Sequence, residues 1–551
     1  MKKIKNILLT ACLVIGVFDM FPSLAQEINM PSIFADQMVL QREQKVPVWG
    51  TSDSGTSITV EFAGQRKSTM ADEEGNWRID LDPMTASSES RIMTISAKHN
   101  DKANEIKISD VLVGEVWFAG GQSNMYRPFR MLTYPAREPK YEPVGAYLRN
   151  ERDTAHDPLL RQFRVGRDHS VFEELSQNRG NWSQAVGAAA NNICATAYFF
   201  GRELRRELDV PVALISCNLG GTRIEPWMPM QTYQKNETLK DFYKEEIGKF
   251  KERLETWDDE EENAKYEQQL ADWEKSAEEA KANGENEPNK PRKPEHPSRD
   301  KQIASTLYNA MIRPMIPYAM RGALWYQGES NGNNNPEQYA MRMEAMVEGW
   351  REAWGSDFYF YYCQLANYKS ANEEPLDETD GWVIVQDQMR LAMGIPKSGM
   401  AVLNDIGEAK DIHPKNKLDA GKRLSRWALN QAYGQDLVVS GPIYKSSASK
   451  GKKMVITFNH AGSGLMVGKK NLMDPTVEVD EPLRRFQICG EDRQWKWAEA
   501  SIKGKNKVEV SHPEISNPVE VRYAWSSNPE GANLYNKEGL PTSAFKTSDT
   551  Y

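Results

Sequence analysis

The chain has 551 residues, 39% hydrophobic and 27% charged, with a net charge of −9 at pH 7. That length exceeds one hydrophobic core and predicts two to four domains of ordinary folded protein, not a disordered or fibrous chain. The acidic balance argues against nucleic acid as a partner, since phosphate binding needs a basic surface, and gives an anionic membrane no attraction.

Lys2, Lys3 and Lys5 precede an apolar run, Ile7 to Phe18, that is too short to span a bilayer. Ser23-Leu24-Ala25 then offers a small-x-small cleavage site, so residues 1–25 read as a signal peptide and Gln26 as the mature start. The expectation is export, to the periplasm or the extracellular medium. A lipoprotein box at Leu9-Thr10-Ala11-Cys12 is the competing, lipid-anchored reading, but most of the hydrophobic run follows it. No later stretch has the length and apolarity of a transmembrane helix. Cys194, Cys217, Cys363 and Cys489 fall far apart in apolar helix or strand patterns, which argues against a disulfide framework and leaves one chance pair open. No clustered His/Cys spacing supports a metal site.

From 26 to 110 short strands recur, at Val46–Trp49, Ser57–Phe62, Trp77–Leu81 and Ile92–Ala97. Alternation at Ile58, Val60 and Phe62 predicts a small N-terminal β-sandwich. From 111 to 435 apolar strands alternate with helical periodicity. The strands are Val116–Ala119, Val212–Ser216, Gly322–Tyr326, Phe358–Leu365 and Met400–Asn404, and one helical stripe is Tyr339, Met343, Met346, Val347 and Trp350. This predicts an α/β domain with a mostly parallel sheet covered on both faces, in which ligands bind beyond the carboxyl ends of the strands. Within it, 239–300 is a charged insertion. Ile247, Phe250, Leu254 and Trp257, then Tyr266, Leu270, Trp273 and Ala277, predict a surface helical hairpin with a Pro-rich return. From 436 to 551 strand patterns resume, at Met454–Phe458, Phe486–Cys489, Lys507–Ser511 and Val521–Trp525, predicting a second β-domain.

Four segments follow carboxyl ends of the central strands: Gly120-Gly121-Gln122-Ser123-Asn124, Asn218-Leu219-Gly220-Gly221-Thr222, Gln327-Gly328-Glu329-Ser330-Asn331, and Asp411-Ile412-His413-Pro414. Converging on one sheet edge, they hold the parts of an acyl-transfer site: a serine, a base to take its proton, a carboxylate to orient that base, and donors for an oxyanion. Of seven histidines only His413 is expected just past a central strand; His156 and His169 read as lying in a polar region with no strand before them. The orienting carboxylate is Asp411, two residues before His413, or Glu329 from another strand end.

The strings GEVWFAGGQSNM, NLGGTRIEPWMP, LYNAMIRPMIPYAMRGALWYQGESN and DIHPKNK resemble, in order, the signature segments of the sialate O-acetylesterase family, within the SGNH hydrolase superfamily. The resemblance extends to MPSIFADQMVLQREQKVPVWG near the start and VRYAWSSNPEGANLYNKEGLPTSAF near the end. It implies a flavodoxin-like three-layer hydrolase domain flanked by N- and C-terminal β-sandwich-like domains, with no metal or organic cofactor. Ser123 matches the nucleophile and His413 the base. Gly220 or Gly221, with Gly221 preferred, matches the backbone oxyanion donor, and Gln327, with Asn331 as alternative, takes the place of a side-chain donor. The superfamily carries Asp three residues before His, where this chain has Lys410, so Asp411 and Glu329 both stay open with Asp411 favoured. Arg223, Glu225 and Trp227 are candidate substrate contacts. The implied substrate is an acetyl ester on a sugar, sialic acid or a glycan such as xylan; a non-catalytic glycan-binding protein and a lipid esterase are the competing readings. The sequence does not assign an oligomeric state.

Overall fold

The computed structural model describes residues 27–375 and 380–548. The signal segment read at 1–25, with Cys12, lies outside the described residues.

The N-terminal region consists of strands where the alternation predicts them. Strand Val46–Ser52 pairs with Asn76–Leu81, and Ser57–Phe62 pairs with both Gln65–Met70 and Ser87–His99. Ile58, Val60 and Phe62 point inward and their neighbours outward, which is the period of two made physical.

The next strand, β1 (Lys102–Gly121), belongs to two regions at once. Its first half pairs antiparallel with Ser87–His99, and from Glu115 onward it runs parallel to strands of the central sheet. The expected boundary at 110/111 thus falls inside one continuous strand, with no linker there. The other central strands are β2 (His156–Val165), β3 (Gly180–Val186), β4 (Val212–Asn218), β5 (Gly322–Tyr326), β6 (Tyr359–Cys363) and β7 (Ser398–Ala401). They lie in the order β3-β2-β4-β1-β5-β6-β7, and only the β3–β2 pair is antiparallel. Every residue of β4 and β5 is buried, as expected for strands covered on both faces.

β2 and β3 correct the reading of the polar region. His156 opens β2, and His169 comes just after its end. The pattern was hidden because β2 buries Arg161 and Gln162. Arg161 satisfies itself on Asp110 and the Gln37 carbonyl, so a charged side chain occupies a position that an apolar pattern would mark.

Helices α1 (Ser123–Tyr126), α2 (Ala195–Leu208), α3 (Glu237–Glu255), α4 (Asp259–Asn283), α5 (Tyr339–Trp354) and α6 (Lys417–Trp427) matter below. The stripe Tyr339, Met343, Met346, Val347 and Trp350 is buried along α5, where Trp350 meets Trp325 of β5 edge to face. The charged insertion forms α3 and α4, capped by the Asn236 and Asp258 side chains, and α4 ends on left-handed Gly284. α3 buries Leu239, Ile247 and Phe250, whereas in α4 only Ala280 is buried. C-terminal strands from Ile443 onward close a second core around Ile456, Phe458, Ile488, Val508, Val510 and Phe545. Cys194, Cys217, Cys363 and Cys489 are all buried free thiols. Among the described residues no helix is long and apolar enough to cross a membrane.

Candidate active site

Ser123 leaves the sheet at the carboxyl end of β1 because the two glycines before it let the chain turn there. Gly121 has φ +131°, and a Cβ on it would stand 2.3 Å from the Tyr326 carbonyl oxygen. No other residue type meets both conditions. Gln122 N–H donates to that same carbonyl at 3.0 Å, and the chain turns directly into α1.

From the far end of the sheet, the loop after β7 returns His413. Its Nε2 lies 2.8 Å from Ser123 Oγ, across 290 residues of sequence. Asp411 Oδ1 accepts from the His413 backbone N–H at 3.0 Å and stands 3.5 Å from Nδ1, long for a hydrogen bond. Arg127, one turn after Ser123, brings Nη2 to 2.8 Å of the same Nδ1. Nδ1 therefore has two rivals: Asp411 favours a proton there, and Arg127 favours a lone pair.

The charges around the imidazole set its state. Burial lowers the His413 pKa, Asp411 opposes that, and the positive charges of Arg127 and Lys417 lower it further, leaving it below 6.5. Burial raises the Asp411 carboxyl, but the His413 ring and backbone N–H beside it and the charge of Arg137 outweigh that and hold the carboxyl at about 2. At neutral pH the pair is a neutral imidazole beside a carboxylate. The neutral ring is the form that accepts a proton. Activity that uses it as a base is complete above its pKa and lost as pH falls through it. The acid limb of kcat/KM is accordingly expected to centre below pH 6.5. Arg127→Gln removes a neighbouring positive charge, so the limb should move to higher pH; a limb that stays put or moves down would show that Arg127 does not act on His413.

Glu329 stands elsewhere. Asn124 Nδ2 donates to its Oε1 and, at 3.0 Å, to the Ile412 carbonyl, while Lys417 Nζ donates to Asn124 Oδ1. Lys417 is 1% exposed at the first turn of α6, and burial lowers its pKa to about 7. Asn124 thus ties the serine turn, Glu329 and the histidine loop together, and Glu329 acts on that loop through Asn124. The sequence reading missed both Arg127 and Lys417. The signal that could have found them is their spacing, four residues after Ser123 and after His413.

Of the two candidate glycines, Gly220 is the one set against the serine. A Cβ there would lie 3.4 Å from Ser123 Cβ, whereas the nearest such neighbour of exposed Gly221 is Lys301 Nζ. Lys301 Nζ holds the Gly220 carbonyl at 2.9 Å. Among the described residues the N–H groups of Ser123 and Gly220 have no protein acceptor.

Gln327 and Asn331 are not brought to that point. Gln327 is fully buried, and its amide donates to the Thr222 carbonyl at 3.1 Å and to Asn331 Oδ1 at 2.8 Å. Asn331 Nδ2 donates to Glu225, which is buried and paired with Arg342. Each amide has its hydrogens engaged in packing the strand ends together. Trp227 is fully buried too, edge to face with Trp325 and donating to Thr222 Oγ1, so it faces the core and not a ligand. Arg223 pairs with Glu246 of α3 and donates to the Gln302 carbonyl at 3.0 Å, anchoring the insertion beside the glycine turn.

A family model described as "carbohydrate esterase, sialic acid-specific acetylesterase" matches residues 296–426, which include Glu329, Asp411 and His413. A solved carbohydrate acetylesterase from Xanthomonas citri is 30% identical, covers 95% of this chain and 100% of its own, and superposes with a TM-score of 0.74. The chain belongs to the sialate O-acetylesterase family of carbohydrate esterases. Its mixed α/β architecture, with a large central sheet and additional β-sheets, is close to that of the Xanthomonas esterase. The mouse sialate O-acetylesterase is 26% identical over 539 residues, covering 90% of this chain and 89% of the mouse protein. The human sialate O-acetylesterase is 25% identical over 536 residues, covering 90% and 87%.

Proposed function

We propose that this esterase removes O-acetyl groups from carbohydrate by a serine acyl-enzyme route on an SGNH-type hydrolase domain. The observation that carries the reading is the 2.8 Å contact between Ser123 Oγ and His413 Nε2 at the carboxyl edge of the sheet. Ser123 Oγ attacks the acetyl carbonyl as His413 Nε2 takes its proton. The oxyanion forms against the N–H groups of Ser123 and Gly220, each donor contributing ~3–4 kcal/mol of transition-state stabilisation. Collapse expels the sugar oxygen, protonated by Nε2–H. Water then attacks the acetyl-serine with His413 as base, and acetate leaves as Ser123 is restored. The chain is exported on this reading, since its substrate is glycan met outside the cytoplasm.

Acetate release from O-acetylated sialosides and acetylated xylo-oligosaccharides, with Ser123→Ala as blank, tests the proposal and ranks the two substrate classes. Glycan binding without acetate release from any of them would leave a binding protein in its place.

A further inference from the structure

Three arginines at the ends of β2 and β3, on the edge of the sheet that carries the serine turn, gather positive charge. Arg164, near the carboxyl end of β2, is in register with Ser216 of β4, which is in register with Ala119 of β1. β2 therefore delivers its following residues to the same edge as Ser123, two strands or ~10 Å away. There Arg164, Arg167 and Arg179 line one open crevice with Asn181. Gly166 N–H, also in its lining, donates to the Arg179 carbonyl at 2.6 Å. Among the described residues none of the three arginines makes an ion pair. Arg164 Nη2 donates to the Tyr126 hydroxyl at 2.7 Å, and both Arg164 and Arg167 lie over the Tyr126 ring, at 5.0 and 4.4 Å from its centroid. Tyr126 belongs to α1, three residues after Ser123, so one aromatic ring joins the arginines to the nucleophile's own turn.

Gathering three guanidinium groups costs repulsion unless an anion sits among them, and in a chain of net charge −9 the surface has carboxylates to spare for pairing. No carboxylate lines the crevice, although Asp168 follows Arg167 in the chain. Guanidinium forks match the planar or tetrahedral oxygens of carboxylate and sulfate, and such groups are common substituents of sugars. We infer that Arg164, Arg167 and Arg179 form an anion subsite that binds a carboxylate or sulfate on the glycan whose acetyl ester lies at Ser123. The inference rests on the Ser123 reading above and adds the class of sugar it selects. The subsite lies past the glycine turn of β4, so a bound sugar spans the strand ends from the ester at β1 to the anion at β2.

Three O-acetylated methyl glycosides separate the cases: one with a carboxylate, one with a sulfate and one uncharged. The wild-type chain should hydrolyse at least one charged sugar with a kcat/KM ~10-fold or more above the neutral one. Raising salt from about 20 to 200 mM should shrink that preference through screening. In R167Q/R179Q, both exposed positions, the charged-to-neutral ratio should fall ~10-fold or more, and which charged sugar loses most names the anion. An unchanged ratio in the double variant overturns the subsite, as does a wild-type enzyme with no preference for charge. Acetate release from none of the three removes the carbohydrate reading itself, and the subsite with it.

Discussion

Ser123→Ala is expected to abolish ester hydrolysis, with kcat on p-nitrophenyl acetate falling by ~10⁴ or more and the folded state unchanged. The size follows from what the hydroxyl does. On the proposed route no acetyl-enzyme forms without it, and only the backbone donors remain to stabilise attack by water. The intact fold follows from how little the side chain holds: its Oγ contacts His413, and the turn itself is fixed by Gly121, by Gln122 N–H on the Tyr326 carbonyl and by Thr196 Oγ1 on the Asn124 carbonyl. A correctly folded variant within a few fold of the wild type would take this serine out of the mechanism. A variant with lost activity and a lowered melting temperature would need Ser123→Gly or Ser123→Cys beside it, to separate chemistry from packing.

The strand ends were legible because each Gly-rich string follows a short apolar run, and parallel sheets gather such ends on one edge. Ser123 and His413 are brought together for that reason. β2 was not legible because its buried polar residues, Arg161 and Gln162, find partners that lie far away in sequence. Gln327, Asn331 and Trp227 share a different reason. Their chemistry and position after strand ends or glycine turns suit a site, but hydrogen-bond partners consume the amides and the indole packs inward. Donor capacity already spent is a three-dimensional fact, and residue type does not report it. The arginine crevice needed β2 to be recognised first, since only its register places Arg164 beside the serine edge.

Asp411→Asn is expected to lower kcat by ~10³–10⁴, and Glu329→Gln by no more than about tenfold. The argument lies in the rivalry at His413 Nδ1. Arg127 donates toward that nitrogen from 2.8 Å, which favours the tautomer with its proton on Nε2, where it cannot accept from Ser123. Asp411 opposes Arg127 from 3.5 Å and fixes the backbone of the same residue. Asparagine keeps the shape but drops the charge, and Arg127 then holds the inactive tautomer. Removing a carboxylate that raises the His413 pKa should also move the acid limb of kcat/KM further down. Restoring part of the rate by adding Arg127→Gln to Asp411→Asn would show the tautomer at work, because deleting the rival donor has no reason to help a merely misfolded loop. Glutamine at 329 keeps an acceptor for Asn124, so the tie to the histidine loop survives and the loss stays small. If Glu329→Gln costs more than Asp411→Asn, the orienting carboxylate is Glu329 acting through Asn124. Equal losses of a few fold in both variants would leave a Ser123–His413 dyad assisted by backbone donors.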